Sequence, residues 1–178
     1  QGRGVDIAEL SPQAELAIDR ALKHLAATQK SDGSWGGGSV APAHTATAMM
    51  AFMLKGHFPR HGRYGALMER ALKSLLAASK KNDGYFGGNM YVHGLGTLAL
   101  SEVWGMSDRD EVRDALKKAV RVILRSQNPQ GGWRYRPVPA DADISVTVMQ
   151  IVARASAREA GIYVPQRTID RALPYVKS

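Results

Sequence analysis

Two carboxylates stand two residues apart in Asp141-Ala142-Asp143-Ile144, and two histidines, His44 and His93, precede them in a chain of 178 residues. Threonines at positions 47, 97 and 147 fall fifty residues apart and set a register. Four positions before the threonine, His93 and Asp143 are equivalent, and His44 lies one residue off. Tyr91 and Tyr135 are close by in sequence, which adds two phenols to two imidazoles and two carboxylates. Imidazoles and a carboxylate are ligand types that suit zinc or iron. The spacing of His44, His93 and Asp143 lends that no support, so neither a metal nor another cofactor is expected. Asp143 reads first as the N-cap of the helix through Ala160, with Ser145 and Thr147 adding local hydrogen bonds, ahead of any acid or ligand role. Cysteine is absent, which removes thiolate chemistry, disulfides and cysteine-ligated zinc while leaving the cellular compartment open.

These groups must be carried by helices. Ser11-Pro12 supplies an N-cap and a first-turn proline, Ser107 with Asp110 matches a capping box, and Pro165 opens the last helix. Gly56, Gly105 and Gly161 stand where three others should stop. The marks predict helices over 12–30, 44–55, 65–80, 92–104, 108–126, 144–160 and 165–177, and no strand. The odd-numbered helices share a pattern seen in Asp19-Arg20-Ala21-Leu22, Glu69-Arg70-Ala71-Leu72, Lys117-Lys118-Ala119-Val120 and Asp170-Arg171-Ala172-Leu173. They are amphipathic and belong outside. The even-numbered ones carry no charge from Ala46 to Leu54, Thr97 to Ser101 or Ser145 to Ala153 and belong inside. Met49, Met50, Met53 and Met149, at helical spacing, read as core packing.

The turns that join outer to inner helices repeat. Gln29-Lys30-Ser31-Asp32-Gly33-Ser34-Trp35 returns as Gln127-Asn128-Pro129-Gln130-Gly131-Gly132-Trp133, and a weaker copy runs from Ser79 through Gly84 to Phe86. Repeats of this length are stacked helix pairs. They divide the single domain 1–178 into units at about 11–56, 65–105 and 107–161 and a partial unit at 165–178. In each turn the glycine permits a tight reversal, the aromatic ring packs beneath it, and the glutamine amide reaches backbone groups at a neighbouring helix terminus. Gln29, Gly33, Trp35, Gly84, Phe86, Gln127, Gly131 and Trp133 are thus expected to be structural.

The Gln-x-x-x-Gly-x-Trp element after an outer helix resembles the repeat of squalene and hopene cyclases and of the wider prenyltransferase and squalene oxidase group. It is most similar to bacterial members of unassigned activity that carry Asp-Gly-Ser-Trp-Gly and Gly-Gly-Trp-x-Tyr. The resemblance implies an all-α, α/α-toroid fold, here about three and a half helix pairs, hence an open, partial ring unless a partner, self-association or further residues complete it. It also implies a central cavity rimmed by the N-terminal ends of the inner helices. His44, His93, Tyr91, Tyr135 and Thr147 would then contact a ligand. Class II terpene cyclases protonate an alkene or epoxide with an Asp-x-Asp-Asp motif, a task for a protonated acid beside a partner carboxylate. By that resemblance Asp141 and Asp143 are the catalytic candidates, although Ile144 replaces the third acid. The catalytic zinc of protein prenyltransferases needs a cysteine that this chain lacks. Three functions follow as expectations: binding of an isoprenoid-like ligand or a protein partner along the concave side, cyclase-like catalysis, or a pure interaction scaffold.

A net charge of +8 raises the question of anionic partners. The cations are spread over the outer helices beside acids, so no nucleic acid is expected. The connector Lys55-Gly56-His57-Phe58-Pro59-Arg60-His61-Gly62-Arg63-Tyr64 is the densest basic stretch with aromatics and offers a weak membrane-surface contact. No apolar run reaches the roughly 20 residues of a membrane span. The chain begins at Gln1 rather than methionine, so a removed leader or upstream region is compatible with it, and the compartment is left undetermined.

Overall fold

A computed structural model describes residues 10–177 as seven α-helices, with no strand among them. They are α1 (Pro12–Thr28), α2 (Ala41–Leu54), α3 (Gly65–Lys81), α4 (Met90–Gly105), α5 (Asp110–Ser126), α6 (Ile144–Glu159) and α7 (Gln166–Lys177). The protein is therefore all-α. Ser11 caps α1 by accepting from the Ala14 amide at 3.2 Å, and positive φ values at Gly56 and Gly161 close α2 and α6.

Four helix starts differ from expectation: α7 begins at Gln166, one residue past Pro165, and the other three shift for local reasons. Helix α2 begins at Ala41, three residues early, because a 3-10 turn over Gly38–Val40 and Pro42 lead into it. Helix α4 begins at Met90 because Asn89 accepts from the Tyr91 and Val92 amides at 2.9 and 3.2 Å. The capping box at Ser107 and Asp110 does not form. Ser107 instead donates back to the Val103 carbonyl at 2.7 Å, and α5 starts behind Arg109, which has no capping bond.

The helices lie in two rows. Helices α2, α4 and α6 stand side by side with α4 in the middle, while α3 packs on α2 and α5, α5 on α4 and α6, and α7 on α6. The helices with uncharged runs occupy the first, inner row and the amphipathic ones the second, as their sequence patterns require. Between the rows, Met49, Phe52, Met68, Leu72, Leu100, Leu116 and Val120 are buried.

The turns before α2 and α6 make the same bonds. Gln29 Nε2 donates to the Gly33 and Leu67 carbonyls, both at 3.0 Å, and Gln127 Nε2 to those of Gly131 and Thr168 at 2.8 and 2.9 Å. The indole N–H of Trp35 donates to the Leu25 carbonyl at 2.9 Å, and that of Trp133 to Ile123 at 2.8 Å. Each glutamine thus ties its turn to the first turn of the next outer helix, and each tryptophan ties it to the helix just completed. At Gly131, with φ +97°, a Cβ would come within 1.8 Å of the Arg171 carbonyl oxygen, so only glycine lets the two backbones pass.

This pattern corrects the threonine register. Trp133 donates its backbone N–H to Thr147 Oγ1 at 3.0 Å, and the matching donor Trp35 uses Thr45 at 3.1 Å. Thr47 is exposed and donates to the Ala43 carbonyl. In the middle turn Phe86 stacks on His93 with centroids 5.7 Å apart. The residue behind each aromatic also differs: Phe52 lies 6.3 Å from Trp35, whereas the guanidinium of Arg154 lies 4.9 Å from the Trp133 ring. Arg154 is 1% exposed, and its three guanidinium nitrogens find no hydrogen-bond partner among the described residues. Burial, with a smaller push from Arg158, lowers its pKa to about 10.

Candidate functional site

The expected site residues gather at the N-terminal ends of the inner row, where most of them are occupied by structural bonds. Asp143 is the N-cap of α6: one oxygen accepts from the Ser145 amide at 3.0 Å, the Ser145 hydroxyl at 2.5 Å and the Val146 amide at 3.1 Å. The Ser145 hydroxyl, then the Val146 amide, hold its pKa below the ordinary carboxylate value. An acid catalyst requires the opposite shift. Asp141 is exposed and pairs with Arg134 at 2.5 Å while accepting from the Ala142 amide. The two acids therefore face different partners and share no proton between them.

His93 is fully buried between Tyr85 and Phe86, with ring centroids 5.4 and 5.7 Å away. Its Nε2 is 3.0 Å from the Ala119 carbonyl and so carries the proton, leaving Nδ1 buried with no partner among the described residues. Burial depresses its pKa to about 4. Thr147 is equally enclosed, bonded to Trp133. His44 is exposed against Gly36. Tyr91 and Tyr135 face each other at 6.1 Å, with the Tyr91 hydroxyl on that of Ser145 and Arg134 lying 5.6 Å from the Tyr135 ring. So Tyr91, Tyr135, Asp141, Asp143 and Arg134 form one polar cluster, and His93 and Thr147 lie beneath it in the core. Among the described residues no three His, Cys, Asp or Glu side chains converge on a common point that would hold a metal ion.

A second feature, an apolar face, runs along the inner row itself. Helix α6 exposes Ile144, Val148 and Val152, four residues apart and so on one face. Half-buried Leu95 and Leu98 line α4, and half-buried Ala51 with exposed Leu54 lines α2. The Tyr91–Ser145 contact joins α4 to α6 at one end of this face, and at the other Ser156 donates to Glu102 Oε1 at 3.0 Å. At the C-terminal ends of α2 and α4 the face deepens into a groove of about 330 Å³ lined by Met50, Met53, Leu54, Phe58, Leu98, Glu102 and Met106. Leu54 is 88% exposed and Met106 64%.

Sequence reasoning did not find this groove. Met50, expected to be core packing, is only half-buried and lines it, whereas Met53 belongs to the buried core with Met49 and reaches the groove from there. A helix apolar on every side does not reveal which side a neighbour leaves free. Beside the groove a recess of about 360 Å³ holds Arg60, His61, Asp108 and Arg109. Its guanidinium groups are bound: Arg109 pairs with Glu69 at 2.6 Å and Glu111 at 2.7 Å, and Arg60 with Glu69 at 3.3 Å. The Arg109 hydrogen bond holds the Glu69 pKa below its usual value.

These features define an all-helical protein of two packed rows with an apolar, groove-bearing free face. Over 69 residues, 39% of its length, the chain is 38% identical to a drimenyl diphosphate synthase from Streptomyces showdoensis. The match spans 13% of that protein. No family model matches the chain, and no solved structure matches it closely. Among the described residues no helix is long and apolar enough to cross a membrane.

Proposed function

We propose that the two rows are part of an open α/α toroid of the squalene cyclase and prenyltransferase repeat type, and that its free inner face binds a hydrophobic, isoprenoid-like ligand. The observation that carries this reading is the contiguous apolar face of α2, α4 and α6, bearing Ile144, Val148 and Val152 at one side and the methionine-lined groove at the other. An exposed apolar face of this kind marks a site of interaction with a ligand, a membrane or another protein. The similarity to a protein named for making drimenyl diphosphate supports an isoprenoid as the class of ligand.

Binding fits the polar cluster better than acid catalysis does. Asp143 gains most as an ionised cap, and protonating it would weaken the three hydrogen bonds that its one oxygen accepts at the start of α6. Asp143→Asn keeps acceptor oxygen and cap, and ligand binding is expected to survive it.

Native mass spectrometry of the purified chain tests the reading. An added mass matching an isoprenoid or fatty lipid, displaced when isoprenoid is supplied in excess, is the expected result. A chain that stays bare after incubation with isoprenoids of several lengths overturns it and leaves a protein-interaction scaffold. The same spectrum gives the subunit count and shows whether a second copy completes the row.

A further inference from the structure

Resting on that reading, we infer that the groove at the C-terminal ends of α2 and α4 binds an isoprenoid alcohol, its chain among Met50, Met53, Leu54, Leu98 and Met106 and its hydroxyl on Glu102. The site lies at the opposite end of the inner row from Asp141 and Asp143. The argument comes from three features of the groove: its size, its one ionisable side chain and the state of the charges next to it.

Its volume, about 330 Å³, stands at the small end of ligand pockets, which suits one extended or loosely folded hydrocarbon chain. Methionines line it, and their unbranched thioethers adapt to a chain with no fixed shape. Glu102 is the one ionisable group among the lining residues. Ser156 on α6 donates to its Oε1 at 3.0 Å, which fixes the side chain across the face and leaves Oε2 as an acceptor. A carboxylate only accepts hydrogen bonds, so the ligand head must donate.

A phosphate head fails that requirement and would meet Glu102 with like charge. The adjoining recess does not rescue it, because Arg60 and Arg109 are already paired with Glu69 and Glu111. An ammonium head would satisfy Glu102, but Glu102 is exposed, and an ion pair in water contributes little beyond what the hydration of each charge already supplies. A neutral hydroxyl is the donor that meets neither objection.

The test is isothermal titration of the full chain with farnesol, farnesyl diphosphate and dodecylammonium. Farnesol is expected to bind at least tenfold tighter than either of the others. Glu102→Leu should weaken farnesol about ten- to hundredfold, the size of one hydrogen bond to a charged acceptor. Leu54→Glu combined with Met106→Glu changes two exposed positions and should leave the thermal unfolding curve in place while abolishing farnesol binding. Farnesol binding that ignores the double variant overturns the groove and leaves the wider apolar face standing. Tighter binding of the diphosphate or the ammonium overturns the hydroxyl assignment. Failure of all three probes to bind overturns both the groove and the reading on which it rests.

Discussion

The two ends of the inner row carry opposite kinds of residue and use them in opposite ways. At the N-terminal end stand the groups that look chemical, and the fold consumes them: Asp143 caps α6, Thr147 receives the Trp133 amide, and His93 is buried under Phe86. At the C-terminal end stand residues that look like filler, and Leu54, Met106 and Glu102 remain open to solvent. Reactive residue types mark a site only when their hydrogen-bonding capacity is left over. Where helix starts must be capped and turns tied, that capacity is spent first.

If the N-terminal end is structural, its substitutions should cost stability. The largest effect is expected at Trp133, which is fully buried and whose indole N–H ties the turn to the Ile123 carbonyl near the end of α5. Trp133→Ala should cost about 3–5 kcal/mol, measured by urea unfolding. A loss below about 1 kcal/mol would remove the distinction between the two ends.

Next comes the titration of His93. Its pKa of about 4 in the folded chain lies below the ordinary 6.5, so the unfolded chain binds the proton more tightly. Stability is then complete above pH 6.5 and falls as the pH drops towards 4, by about 3 kcal/mol over the window. Urea unfolding at pH 7 and pH 4.5 measures this fall. His93→Phe should flatten that part of the profile, and an unchanged slope would mean that His93 is reached by water.

The fold was legible in the sequence where its signals are local. Ser11-Pro12 announced α1, the uncharged runs separated the inner helices from the outer ones, and the helix count was right. What failed was competition between partners: the Ser107 hydroxyl had the Val103 carbonyl available, and the even threonine spacing pointed to Thr47 where the fold uses Thr45. The groove was illegible because it depends on which faces of α2 and α4 remain uncovered, a property of packing that no spacing records. Arg154 gave no warning either, since one arginine in an apolar helix reads as a surface residue.

Arg154 sharpens the comparison from the middle of the row, because there a charge is enclosed with no hydrogen-bond partner among the described residues. Phe52 occupies the matching place behind Trp35. Arg154→Leu should therefore raise stability by roughly 1–4 kcal/mol, as replacing buried ionic groups with apolar ones often does. Thermal unfolding of the single variant checks it. A loss of stability instead would show that the contact with Trp133 outweighs the desolvation of the guanidinium.

The smallest effect belongs to the open end. Leu54 lies on α2 within the uncharged run, and composition alone would rank it with Leu100 as core. Leu100 is fully buried, and Leu100→Ala should cost about 2–5 kcal/mol. Leu54 is 88% exposed and gives up almost no buried area when replaced, so Leu54→Ser should stay within about 0.5 kcal/mol of the parent chain. Paired urea unfolding curves of the two variants settle the contrast. If Leu54→Ser costs as much as Leu100→Ala, the end of α2 is covered in solution, by a second copy or by another part of the chain, and the groove is an interface in place of an opening. If it costs nothing, the end of α2 is uncovered in solution, and the mouth of the methionine-lined groove is open to a ligand.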